Sequence, residues 1–180
     1  IIGVSLGGEL CMRAAAMEPR IRRVVSWSVL PSIYGALMAD KPAEIRAKLE
    51  HWLDENNREA ILDLYAGLAE REPLFRWSIQ HSNYAYGTAD VYEYLQKARA
   101  FTIEPVAERI TQDVLLLSAR EDLLVDFALY KQEIDLLKNT RSLEFAAPGR
   151  ALNGQAHCNM GNTKYMLDLI LNWNDRMLER

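Results

Sequence analysis

Three side chains in this sequence have the types and the order that acyl-transfer chemistry uses: Ser5 in "GVSLGG", Asp122 in "SAREDLLVD" and His157 in "GQAHCNMGN". A serine hydroxyl is a weak nucleophile at neutral pH unless a base takes its proton during attack, and an imidazole is the usual base. The imidazole in turn needs a buried carboxylate to fix its tautomer and to stabilise the imidazolium that forms. Ser5 stands in the pattern G-x-S-x-G, between Ile1 and Ile2, which read as the end of a buried strand, and the helical "ELCMRAAAM". A sharp strand-to-helix turn holds its apex residue in a strained backbone, and only small residues, here Gly3 and Gly7, are expected on either side. The turn leaves the hydroxyl at the carboxyl edge of a sheet with a helix N-terminus aimed at it. The plain alternative is a glycine-rich turn with no chemistry. A phosphate loop is disfavoured, because no Lys follows the second glycine.

Each partner of Ser5 has rivals. Of the 3 histidines, His51 lies mid-helix among charges in "KLEHWLDE", and His81 sits in "IQHSNYAYG", away from any strand end. His157 follows a strand through a Gly-containing loop and precedes a helix, which makes it the candidate base; the alternative is that it caps that helix. Among the acids, Asp122 stands a few residues beyond a strand, where its carboxylate is able to turn back over the sheet edge. Asp126 fits the N-cap of a helix starting at Phe127, and Glu121 reads as solvated.

The elements that must position these groups follow from periodicity. "GGELCMRAAAMEP" reads as a helix closed by Pro19, and "RIRRVVSWSVL" as a strand. "DVLLLSA" is a continuous apolar run expected of a strand covered on both faces, followed by a polar turn and a helix through "FALYKQEIDLLKN". "RSLEFAA" is a further strand, and "TKYMLDLILNWNDRMLE" the terminal helix. Strands alternating with helices predict a parallel sheet with both faces covered, and in such sheets chemistry collects at the carboxyl ends of the strands. Residues 31–105 change character. Helical periodicity in "AEIRAKLEHWLDE", "REAILDLYAGLAE" and "DVYEYLQKARAF", with "IQHSNYAYGTA" read as a link, predicts a helical insertion between core segments 1–30 and 106–180.

Composition narrows the partners. With 180 residues, 21 Lys+Arg against 25 Asp+Glu and a formal charge of −4, the chain is an ordinary globular one, and its scattered basic residues give no footprint for nucleic acid or an anionic membrane. The apolar runs are shorter than the roughly twenty residues of a membrane span. Cys11 and Cys158 form no disulfide framework or metal spacing, so a cytoplasmic location is expected. The first residues are already strand interior, which suggests the C-terminal portion of a longer protein.

The sequence resembles the α/β-hydrolase superfamily in "GVSLGG", in "VLLLSAREDLLVD" and in "GQAHCNMGN" before the last helix. The last motif is similar to the loop of hydrolases related to dipeptidyl aminopeptidase or acylaminoacyl peptidase, and of the carbon–carbon hydrolase acting on pseudooxynicotine derivatives. "FRWSIQHSNYAYGTADVYEYLQKARAFTI" looks like the cap-to-core passage of that subgroup. The turn departs from the family in Ala119, where Gly is frequent, and Asp126, where Pro is frequent. The resemblance implies a partial α/β-hydrolase fold with a helical cap, Ser5 as nucleophile, Asp122 as acid, His157 as base and the Leu6 N–H as one oxyanion donor. The loop carrying the second donor, worth about 3 kcal/mol in comparable sites, is expected before residue 1.

The expected function is therefore hydrolysis of an ester, peptide or acyl-amino substrate through an acyl-enzyme, with no metal or organic cofactor implied. Cleavage of a carbon–carbon bond beside a ketone is an alternative, as is a non-catalytic hydrolase-like module that binds a partner through the same cleft. Trp77, Tyr84 and Tyr86 are candidates to line an apolar pocket, against the plainer role of core aromatics. The bare edge of the first strand is expected to pair with a missing N-terminal half or with a second copy.

Overall fold

The computed structural model describes residues 1–179. They divide into two compact units, Ile1–Ala39 with Thr102–Arg180, and Asp40–Phe101. In the first unit β1 (Ile2–Val4) leads into α1 (Leu6–Met17), β2 (Arg23–Trp27) and α2 (Ile33–Ala39). The second unit holds α3 (Ala43–Asp54), α4 (Arg58–Arg71), α5 (Pro73–Tyr86) and α6 (Val91–Ala100). The first unit resumes with β3 (Asp113–Leu117), α7 (Leu129–Leu136), β4 (Ser142–Ala146) and α8 (Thr163–Leu178).

The four strands form one parallel sheet in the order β1-β2-β3-β4. Val25 pairs with Ile2 on one side and Leu115 on the other, and Leu115 pairs with Glu144. All five residues of β3 are buried, as a strand covered on both faces requires. Alternate side chains point to opposite faces. Val24, Val114 and Leu116 pack with Met12 and Ala15 of α1 and Ile134 of α7, while Val25, Trp27, Leu115 and Leu117 pack against α8. The α8 residues buried there are Met166, Ile170, Trp173 and Met177, a helical stripe at spacings of four and three. Each face is thus closed by helices whose apolar periodicity was readable in advance.

Two carboxyls lie fully buried on the α1 side of the sheet, Glu9 and Glu133. Arg13 reaches Glu9 Oε1 at 3.3 Å. Neither oxygen of Glu133 closes a hydrogen bond.

In the second unit, Leu49, Leu53, Ile61, Val91, Leu95 and Ala98 are buried. Its helices start where side chains satisfy free N–H groups: Asn57 Oδ1 accepts from Ala60 N at 3.2 Å and Asp90 Oδ1 from Glu93 N at 3.0 Å. The stretch 79–86, read from sequence as part of a link, belongs to α5. Pro73 opens that helix and Gly87, at φ 62°, closes it, and it buries no residue. The sequence put the breaks at residues 31 and 105, whereas the backbone divides at 40 and 101. Ile103 N–H donates to Pro31 O at 3.0 Å and Ser32 bridges to Thr102, which ties these segments to the sheet unit. α7 begins at Leu129 rather than Phe127, with Asp126 Oδ1 accepting from Ala128 N at 2.8 Å in the turn before it. Among the described residues no helix is long and apolar enough to cross a membrane.

Candidate active site

Ser5 joins β1 to α1 with φ 56° and ψ −123°, a conformation that L-residues rarely adopt. Its N–H donates to Trp27 O at 2.8 Å, and its carbonyl accepts from Gly8 N at 2.7 Å. The flanking glycines differ in what they permit. A Cβ on Gly3 would sit 1.8 Å from Gly7 O, and one on Gly8 would sit 2.5 Å from Ser28 O. A Cβ on Gly7 would meet nothing within 4 Å. The close approaches therefore fall on Gly3 and Gly8, not on the Gly3 and Gly7 expected from the motif. Gly7 matters through its carbonyl, which fills the space Gly3 leaves open.

The elbow, the turn after β3 and the loop after β4 bring three side chains into one hydrogen-bonded chain. Ser5 Oγ lies 2.8 Å from His157 Nε2, and His157 Nδ1 lies 2.7 Å from Asp122 Oδ2. A carboxylate only accepts, so Nδ1 carries the ring proton and Nε2 is free to accept from the Ser5 hydroxyl. The Asp122 side chain is 2% exposed and that of His157 24%. Asp122 Oδ1 also accepts from Leu124 N at 2.8 Å and Val125 N at 3.1 Å. Burial pushes the Asp122 carboxyl up, but its bonds to His157, Leu124 and Val125 outweigh this and hold it below the usual carboxylate range. The Asp122 hydrogen bond raises His157 above its ordinary value, with the Cys158 side chain adding to the effect. Of the acids weighed, Asp122 faces His157, Glu121 is bound to Arg150 at 2.7 Å, and Asp126 sits in its own turn.

Two further ties hold the acid turn against the histidine loop. Glu121 N–H donates to Gln155 O at 2.9 Å, and Asn159, 1% exposed, sends its amide to Ser118 O at 3.1 Å. Sequence reasoning did not single out Asn159. Its signal was a polar residue two places after His157 that needs burial. Ser28, at φ 103° and with its hydroxyl 3.5 Å from Asp122 Oδ2, was equally silent.

Leu6 is the first residue of α1, so its N–H is one of the four that a helix leaves without an internal acceptor. Trp77, Tyr84 and Tyr86 all lie on α5 in the second unit. Trp77 is 58% exposed and stacks on His81, Tyr84 is 87% exposed, and Tyr86 packs edge-on against Tyr94 and Phe101. His51 is exposed on α3. Among the described residues no group of three or more His, Cys, Asp or Glu side chains is placed to hold a metal ion.

The fold recurs in solved structures. The α/β hydrolase GrgF from Penicillium sp. sh18 superposes with a TM-score of 0.59 at 16% identity, covering 97% of this chain and 62% of its own. The fold is that of an α/β hydrolase. The α/β-hydrolase domain-containing protein 10 from mouse (TM-score 0.53, 16% identity) is covered to 61% by 99% of this chain. The 2,6-dihydroxy-pseudo-oxynicotine hydrolase (0.52, 17%) is covered to 37% by 93% of it. In sequence, the hydrolase LUC6 of a Fusarium species is 32% identical over 101 residues, 54% of this chain and 23% of that protein. No protein-family model matches the chain. The sequence match thus spans about a quarter of the curated relative, and the chain covers between 37% and 62% of the three structures.

Proposed function

We propose that the chain carries the reacting groups of a serine hydrolase that works through a covalent acyl-enzyme. The observation that supports this reading above all others is the unbroken hydrogen-bonded chain from Ser5 Oγ through His157 to the buried Asp122. In the proposed cycle, Ser5 Oγ attacks a carbonyl carbon while His157 Nε2 takes the hydroxyl proton. The oxygen charge that develops is met by the Leu6 N–H at the start of α1. His157 then returns the proton to the leaving group, and the acyl group stays on Ser5. Water attacks the acyl-enzyme and its proton passes to Nε2; as the bond to Ser5 Oγ breaks, His157 returns that proton to Oγ and the acid is released. Throughout, Asp122 holds the ring tautomer and stabilises the imidazolium. The substrate is proposed to be an ester, peptide or acyl-amino compound. The outer edge of β1, where Ile1 and Ile2 are each 52% exposed, is proposed to pair with further chain or with a second copy.

A fluorophosphonate probe tests the reading without knowledge of the substrate. The wild type should be labelled, Ser5→Ala should not, and His157→Ala should label at least about 100-fold more slowly, the scale of general-base assistance. Absence of labelling in the wild type, or equal labelling of Ser5→Ala, would leave a non-catalytic binding module as the better account.

A further inference from the structure

The histidine loop is held by an unusual backbone. Cys158 and Asn159, directly after His157, are both left-handed, at φ 52° and 53°. Two such residues in succession turn the chain sharply within the short 3-10 stretch His157–Asn162, where Asn159 N–H donates to Ala156 O at 2.7 Å. The side chain of Asn159 ties that turn to the sheet. Its Oδ1 accepts from the Trp27 indole N–H at 3.2 Å, and its Nδ2 donates to Ser118 O at 3.1 Å and Gly154 O at 2.5 Å. Those partners lie at the end of β2, just past the end of β3, and in the loop itself. Trp27 has a second task, because its carbonyl accepts the Ser5 N–H at 2.8 Å. One residue therefore grips the nucleophile's backbone and, through its indole, the loop of the base.

We infer that Asn159 is a positioning residue for His157: its amide, keyed to the Trp27 indole, holds the imidazole in place between Ser5 and Asp122. The inference rests on the reading that these two react together. The residue type follows from the task. An amide offers two donors and an acceptor on a short stem, and Asn tolerates the left-handed backbone better than most residues. Because the group is 1% exposed, removal of one partner leaves the others unpaired away from water.

Asn159→Gly keeps the left-handed backbone and deletes the amide, while Trp27→Phe deletes one N–H and retains most of the ring. The measurement is kcat on an activated ester in the full natural polypeptide, expressed per site titrated by fluorophosphonate. Asn159→Gly should lower it about 10- to 100-fold, the effect of misplacing a base by an ångström or less, with KM within about twofold. The acid limb of its pH profile should move to lower pH as His157 loses its hold on Asp122. Trp27→Phe should lose less, and the double variant should be no worse than Asn159→Gly, since the two share a bond. A merely structural role would reduce Tm and the titratable fraction but leave kcat per titrated site and the acid limb unchanged, and that result overturns the inference. If the wild type is not titrated at all, the reading of Ser5 itself fails and the inference falls with it, a distinct result.

Discussion

Replacing Glu133 by Gln should make the folded protein less sensitive to pH by an amount that follows from burial alone. The side chain sits fully enclosed on the α1 side of the sheet with no hydrogen bond to either oxygen. Burial pushes its carboxyl from 4.5 up to about 8; the nearby Leu30 N–H offsets part of this and the charge of Glu9 adds to it. Between those two values the unfolded chain has released the proton and the folded one has kept it. Stability is therefore highest below the unfolded value, falls as pH rises through the window from 4.5 to about 8, and is flat above it. From pH 5 to pH 7 the loss amounts to roughly 2–3 kcal/mol. Gln has the same shape and does not titrate. Urea unfolding of wild type and Glu133→Gln at pH 5, 6 and 7, followed by tryptophan fluorescence, gives the difference between them. That difference should move by roughly 2–3 kcal/mol in favour of the variant as pH rises, whatever the constant offset between amide and acid. A difference that stays within about 0.5 kcal/mol across the range would show a carboxylate already ionised in the fold, and the burial argument would fail.

The remaining expectations concern the site. Activity on an activated ester should fall on the acid side with an apparent pKa above 6.5, because Asp122 favours the imidazolium and the base must be neutral to act. Asp122→Asn should shift that limb to lower pH and lower kcat by at least about 100-fold, the cost of a wrong tautomer; an unmoved limb would remove Asp122 from the account. Gly8→Ala should destabilise by about 1–3 kcal/mol, as overpacking against backbone does, because its Cβ would press on Ser28 O. Gly7→Ala should stay within about 0.5 kcal/mol of wild type in thermal unfolding, and the reverse order would refute the assignment of the close approaches.

The sheet was legible in the sequence because its strands are short apolar runs bounded by turn residues. "DVLLLSA" needs no partner to be read as a doubly covered strand, and it is β3. The Ser-turn motif and the two loops after later strands brought Ser5, Asp122 and His157 to one edge through topology alone. What stayed hidden was local and non-periodic. Ser82 and Asn83, types that favour turns, read as a link although they are helical. Asn159 and Ser28 owe their places to long-range partners, Trp27 and Asp122, and to left-handed backbone that Asn tolerates and Ser ordinarily avoids. The difference between Gly7 and Gly8 depends on where Ser28 O lies, which no spacing rule contains.

The backbone of Ser5 has a consequence for anyone engineering this fold. At φ 56° and ψ −123° the position suits glycine, and serine there is strained by about 1–3 kcal/mol. A library screened for heat resistance alone would enrich Ser5→Gly, a hardier protein with its hydroxyl gone. Thermostability selections on this scaffold must therefore score turnover in the same round, because at this one residue robustness and reactivity are competing demands on the same pair of dihedral angles.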